Sequence, residues 1–156
     1  MPNNAQLDLD AFTPYRLSVL TNRVSGAIAR HYSDRFGLTI PEWRVMAVLG
    51  QIKDGAPGLS GREVADRTAM DKVQVSRAVA SLLSNRRLTR VAHARDGRVA
   101  HLALSAQGRA IYNQVVPFAL ALEKQFLSVL TAAERRAFDA LLVKLSDGIA
   151  DTTSFT

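Results

Sequence analysis

The sequence predicts a mainly α-helical fold interrupted by one small β-hairpin. Three observations carry that prediction. Long stretches near both ends repeat apolar residues at steps of three and four, the spacing that puts them on one face of a helix. Between Ser60 and Arg86 a short helix, a turn and a second helix follow one another without a spacer. Leu88–His93 and Val99–Leu104 then alternate apolar and polar residues on either side of Asp96-Gly97, a short hairpin signal.

Composition narrows what such a fold is for. The chain has 156 residues, enough for one domain with a true core and too few for two large ones. The polar start, with Asp8 and Asp10, does not look like a secretory leader, and no apolar run reaches the roughly 18 residues of a membrane span. There is no cysteine, which excludes disulfides, thiol redox sensing and cysteine-bound zinc and fits a cytoplasmic protein. Net charge is +6, and it is unevenly spread. Residues 60–100 hold nine basic and four acidic side chains, a net +5, leaving +1 for the other 115 residues. A charge concentrated in this way points to a polyanionic partner.

In chain order, residues 1–11 are expected to form a flexible arm. A long helix follows over about 12–36, with Leu17, Leu20, Val24, Ile28 and Tyr32 in one stripe and Gly37 as a left-handed stop. Its six turns exceed what a small reading head needs. Thr39-Ile40-Pro41-Glu42 opens a second helix through a capping box, in which Thr caps the helix and Glu returns to the cap amide. Trp43 reads as a core anchor or as a ligand contact. Residues 53–58, with two glycines and a proline, form a loop. Ser60-Gly61-Arg62-Glu63 is a second capping box. It starts a short helix that buries Val64 and Ala65, and Thr68-Ala69-Met70 is the turn after it.

The next helix starts near Asp71 and is expected to run to Arg86. At 100° per residue, Val75, Val79, Leu82 and Arg86 share one sector, taken as the buried back. Val73, Gln74, Arg77, Ala80, Ser81 and Ser84 face the other way. Gln pairs with adenine and Arg with guanine through two hydrogen bonds each, so Gln74 and Arg77 are the candidate base readers. Val73 is placed to meet a thymine methyl. Lys72 and Ser76, on the flanks, suit phosphates, and Ser60 joins them as a candidate DNA contact. At the hairpin tip, Arg95 and Arg98 suit a narrow, negative minor groove. Asp96 is expected to organise the tip by holding an arginine. His93 and His101 lie on opposite strands with no third ligand, so no metal or other cofactor is expected.

Ser105 caps a long helix whose stripe runs Ile111, Val115, Phe118, Leu122, Phe126 and Leu130, with a kink expected at Pro117. Thr131-Ala132-Ala133-Glu134 is a third capping box. It opens a last helix carrying Phe138, Leu141, Leu142, Leu145 and Ile149. Long helices over about 12–36 and 105–151 are more than a reading head over about 39–104 requires. The economical expectation is a homodimer that presents two reading helices about one DNA turn apart.

This order of elements resembles the MarR family of bacterial transcription regulators over about Phe12–Asp151. The residues that carry the resemblance are Asp71-Lys72-Val73-Gln74-Val75-Ser76-Arg77, Arg95-Asp96-Gly97-Arg98, and Leu104-Ser105-Ala106-Gln107-Gly108. Ser105 stands where the family usually has Thr. Asn85-Arg86-Arg87-Leu88 replaces a common Lys-Gly-Leu, with Arg87 where glycine often sits. A left-handed Arg costs about 1 kcal/mol, so this turn is expected to be built differently. The resemblance implies a winged helix-turn-helix within a single domain over 12–156. It implies a homodimeric repressor on a palindromic operator, released by a small aromatic or anionic effector. Arg16, Arg23, His31, Trp43 and Arg44 are the candidate effector contacts.

Two other functional classes bear on this sequence. No phosphate loop, metal cluster or Ser/His/Asp constellation supports an enzyme. An effector-independent architectural or protein-binding winged helix is the alternative reading.

Overall fold

The computed structural model describes residues 6–53, 55–92 and 100–152. It contains six helices and a two-stranded antiparallel ribbon: α1 (Thr13–Phe36), α2 (Ile40–Gly50), α3 (Gly61–Thr68), α4 (Lys72–Ser84), β1 (Leu88–Ala92), β2 (Ala100–Leu104), α5 (Ala106–Leu127) and α6 (Ala132–Thr152). This is the mainly helical fold with one small hairpin that the periodicities predict, and the winged helix-turn-helix that the resemblance implies. Residues up to Pro117 form one compact unit and residues from Phe118 a second. No single helix among the described residues is long and apolar enough to cross a membrane.

The helix starts follow from local chemistry. Thr39 caps α2, Ser60 caps α3, and each receives the return bond from its Glu at the third position. Thr131 and Glu134 do the same at α6. Asp71 caps α4 by accepting the Gln74 amide at 2.8 Å. At the other end of α1, Gly37 takes φ 61°, and its amide bonds Ser33 O at 2.8 Å. Glycine adopts this left-handed geometry without a side-chain clash. Pro117 lies inside α5, which continues through it.

In the first unit, Leu38, Val45, Met46, Leu49, Val64, Val75, Leu82, Leu88, Leu102, Ile111 and Val115 form one core with Tyr32. The stripe on α1 is only half used there. Tyr32 is buried and Ile28 packs on the core, whereas Leu17 and Leu20 are 42% and 40% exposed. The ribbon pairs Leu88 with Leu104 and Ala92 with Ala100. A further pairing was invisible in the sequence: Leu59 and Leu102 bond each other through both amides, at 3.0 and 2.7 Å, and so tie the end of the loop to β2.

Two details of α4 differ from the sequence reading. The helix stops at Ser84, and Arg86 is exposed rather than on the buried back. Extending the 100° wheel two residues past the end of the helix placed it there. The chain leaves α4 through two bonds, Arg86 N to Leu83 O at 3.0 Å and Arg87 N to Leu82 O at 2.8 Å. These are the paired bonds of a Schellman turn, whose left-handed residue is Arg86 at φ 56°. The turn is thus built differently from a glycine at position 87, as expected, with the strain carried one residue earlier. Gly108, in the first turn of α5, packs so closely on the Arg87 carbonyl that a Cβ would overlap it.

Candidate nucleic-acid interface

The geometry of the reading surface is set by burial on one side of α4. Val75, Ala78, Val79 and Leu82 are buried. Lys72, Val73, Gln74, Ser76 and Arg77 are all exposed, with Val73 58% exposed. Val73 is thus a large aliphatic side chain held in water at the start of the helix, beside Gln74 and Arg77. Asp71, by capping α4, fixes where this cluster begins. The turn before it is tight: Ala69 adopts φ 51°, and Thr68 Oγ1 donates to Val64 O at 2.8 Å. Ser60 is half-buried, and its hydroxyl donates to Glu63 Oε2 at 2.8 Å. That bond, with the Ser60 amide on the same carboxylate, holds Glu63 below the usual carboxylate range, the amide bond being the larger cause.

Beside α4 lies a hollow of about 670 Å³ between α3, α4 and the ribbon. Arg62, Lys72, Ser76 and Arg90 line it, with Asp66 as the one acid. Arg62 and Arg90 were not singled out from the sequence. The available signal was the polar face of the alternating strand for Arg90 and the first turn after the Ser60 cap for Arg62. Arg95, Asp96 and Arg98 lie outside the described residues, as does His93. His101 Nδ1 meets Pro57 O at 2.9 Å, and among the described residues no three His, Asp or Glu side chains gather as a metal site.

The candidate effector contacts fall into separate places. Arg16 and Arg23 line a second hollow of about 670 Å³ along the first half of α1, with the acid Asp10 and with Leu9, Tyr15 and Leu20. Trp43 is stacked between two tyrosines, 5.6 Å from the Tyr32 ring and 6.0 Å from the Tyr112 ring. Burial pushes the Tyr32 hydroxyl up to about 12, against the opposing charge of Arg44. Tyr32 is nine residues beyond Arg23, about 13.5 Å along the helix. The structure therefore groups Arg44 and Trp43 around Tyr32 and groups Arg16 with Arg23, and does not bring the two pairs together. His31 is half-buried on α1.

The C-terminal end of α4 carries a polar cluster the sequence reading missed. Glu42 is the buried charged residue of the core, 7% exposed. Its Oε2 accepts the Thr39 amide at 2.7 Å and the Thr39 hydroxyl at 3.0 Å. Its Oε1 accepts the hydroxyl of Ser81, which the helical wheel had turned outward. Burial acts to raise the Glu42 carboxyl. The bonds from Ser81 and Thr39 and the nearby charge of Arg87 outweigh it, so the group is held below its ordinary range. The Arg87 guanidinium donates through Nη2 to the Phe36 carbonyl.

Comparison with known proteins fits this geometry. The profile of the MarR family matches residues 36–99, which span α2, the helix-turn-helix of α3 and α4, and the first ribbon strand β1. An HTH-type transcriptional repressor of Mycobacterium tuberculosis is 30% identical over 132 residues, covering 84% of this chain and 88% of the repressor. The chain belongs to the MarR family of transcription regulators. A MarR/EmrR family regulator from Acinetobacter sp. ADP1 superposes on this MarR-family chain with a TM-score of 0.81 at 27% identity, covering 93% of this chain and 99% of the other. The MepR–DNA complex of Staphylococcus aureus shares the fold at 18% identity, with a TM-score of 0.76 and coverage of 88% and 98%. In this MarR-family protein, α3 and α4 form the helix-turn-helix and the β1–β2 ribbon is the wing.

Proposed function

We propose that this DNA-binding regulator is a homodimeric repressor that reads a palindromic operator and is released by a small aromatic or anionic effector. The observation that carries the reading is the first turn and a half of α4, where Val73, Gln74 and Arg77 stand exposed on a helix whose opposite face is locked in the core. Gln74 and Arg77 read bases, and Val73 meets a thymine methyl. Lys72 and Ser76 bind phosphate, joined by Arg62 and Arg90 from the cationic hollow, and Ser60 joins them by turning its hydroxyl proton from Glu63 to the phosphate. Arg95 and Arg98 grip the adjoining minor groove, with Asp96 organising the tip. A regulator of this kind works beside the chromosome, in the cytoplasm.

The dimer is supported by apolar surface that each unit leaves uncovered. In the first unit Phe12, Tyr15, Leu17 and Leu20 are exposed around the start of α1. In the second, Leu141, Leu145 and Ile149 of α6 are 56%, 57% and 66% exposed and share one helical face. Patches of this kind mark association surfaces. The domain division follows: a reading head over about 39–104, and dimerisation helices over about 12–36 and 105–151. The hollow bearing Arg16 and Arg23, whose two charges outnumber that of Asp10, suits an anionic effector. The Trp43 stack with Arg44 and His31 is the second candidate place. Binding at either acts by favouring a head spacing that does not match the operator.

Titration of promoter fragments at several salt concentrations tests this. Specific, salt-dependent binding to one fragment, weakened by the right small molecule, is the expected result. Equal affinity for all fragments, untouched by effectors, would instead support an architectural module.

A further inference from the structure

The reading helix is fastened by hydrogen bonds at one end. Gln74 and Arg77, in its first turn and a half, are exposed, and among the described residues its polar attachments to the rest of the first unit gather at the other end. Ser81 donates to Glu42 Oε1 on α2, across 39 residues of sequence. Arg87, two residues past the cap, donates to the Phe36 carbonyl at the end of α1. The Arg87 carbonyl accepts the Ser105 amide at 3.0 Å, and the Arg86 carbonyl accepts the Ser105 hydroxyl at 2.7 Å, just before α5. Gly108 closes on the same carbonyl from the first turn of α5.

We propose that Glu42, Ser81 and Arg87 are positioning residues that set the pitch of α4 against α1 and so fix the separation of half-sites the dimer accepts. The inference rests on the dimeric reading given above. Apolar contacts along the back of α4 hold it in the core without fixing its angle, because packing is not directional. Hydrogen bonds to a buried carboxylate are directional, and they strengthen where water is excluded. From Ser81 to Gln74 is about 10 Å of helix, so a tilt of ~10° at the fastened end moves the base readers by roughly 2 Å. Half-site spacing is sensitive on that scale, since one base pair is about 3.4 Å. Within this node the buried Nε of Arg87 has no hydrogen-bond partner among the described residues, so Nη2 carries the bond to α1.

The test uses the full-length dimer and a set of operators whose half-sites are moved apart or together by one and two base pairs. Binding is read by fluorescence anisotropy. The parent is expected to prefer one spacing at least tenfold. Ser81→Ala and Glu42→Gln should flatten that preference to about threefold or move its optimum. Both should keep discrimination against single-base changes within a half-site to within twofold of the parent. Ser81→Thr, which retains the hydroxyl, should restore the profile, and Ser84→Ala on the exposed face should leave it alone. If Glu42→Gln does not fold, Ser81→Ala decides the matter. A parental spacing profile in Ser81→Ala overturns the proposal, as does a loss of base discrimination in proportion to the loss of spacing preference. A parent that reads an operator but tolerates every spacing equally overturns it together with the dimer. A parent with no preferred operator removes the functional reading itself.

Discussion

Replacing Arg86 by glycine should stabilise the protein, and replacing Arg87 by glycine should destabilise it. The two residues are neighbours of like charge, yet they do opposite things in the turn after α4. Arg86 sits at φ 56° and is exposed. A left-handed non-glycine residue costs roughly 1–2 kcal/mol. Glycine removes that strain but adds about 0.4–1 kcal/mol of unfolded-chain entropy to be lost on folding. The net gain is about 0.5–1 kcal/mol, or about 2 °C in Tm for a chain of this size. The Arg86 carbonyl that accepts the Ser105 hydroxyl is backbone and survives the change. Arg87 has no such strain. Its guanidinium bonds the Phe36 carbonyl and faces the buried Glu42 carboxylate. Losing a charged hydrogen bond and leaving a buried carboxylate without its counter-charge costs about 2–4 kcal/mol. Urea melts at one fixed protein concentration would measure both, because the midpoint of any self-associating protein moves with concentration. The reasoning is refuted if Arg86→Gly lowers the midpoint, or if Arg87→Gly raises it.

The other expectations concern the interface and the buried ionisable groups. Arg77→Ala should lose about 1–3 kcal/mol of discrimination at one base pair in each half-site, while Lys72→Ala should weaken binding evenly and reduce the salt slope by about 1. Competition with single-base operator variants separates the two. Glu42 is held below its ordinary 4.5, so the stability it contributes is complete above that value and is lost as pH falls through the lowered one. Glu42→Gln should therefore flatten the acid limb of a stability-against-pH curve. Tyr32 behaves in the opposite sense. Its hydroxyl is raised from 10.0 to about 12, so stability is complete below 10 and declines as pH rises through that window. Two pH units correspond to about 2–3 kcal/mol, which Tyr32→Phe should abolish in alkaline urea melts.

What the sequence made legible was local. A Thr or Ser followed three residues later by Glu announces a helix start without reference to the rest of the fold, and Thr39, Ser60 and Thr131 all behave that way. The buried face of α4 could be read from period alone, because Val75, Val79 and Leu82 lie within two turns of one helix. The same wheel failed at Arg86, where the helix had already ended, and at Ser81, whose partner Glu42 is 39 residues away. Arg87 with Phe36, across 51 residues, and Leu59 with Leu102 are of the same kind. Contacts between distant segments leave no periodic trace, and a single polar residue on a helix looks solvated until its neighbour is placed. The Tyr32–Trp43–Tyr112 stack was half legible, since Trp43 reads as an anchor but nothing in the sequence names its partners.

The central claim is that the exposed start of α4 reads base sequence in two symmetric half-sites. Selection of bound fragments from a random DNA pool by the purified full-length protein tests it most directly, with an Arg77→Ala variant alongside. The account predicts a palindromic site with half-sites centred about one helical turn apart, roughly 10 base pairs, and relaxed preference at one position per half-site in the variant. Recovery of an unenriched pool, or of the same site with equal sharpness by both proteins, would contradict it.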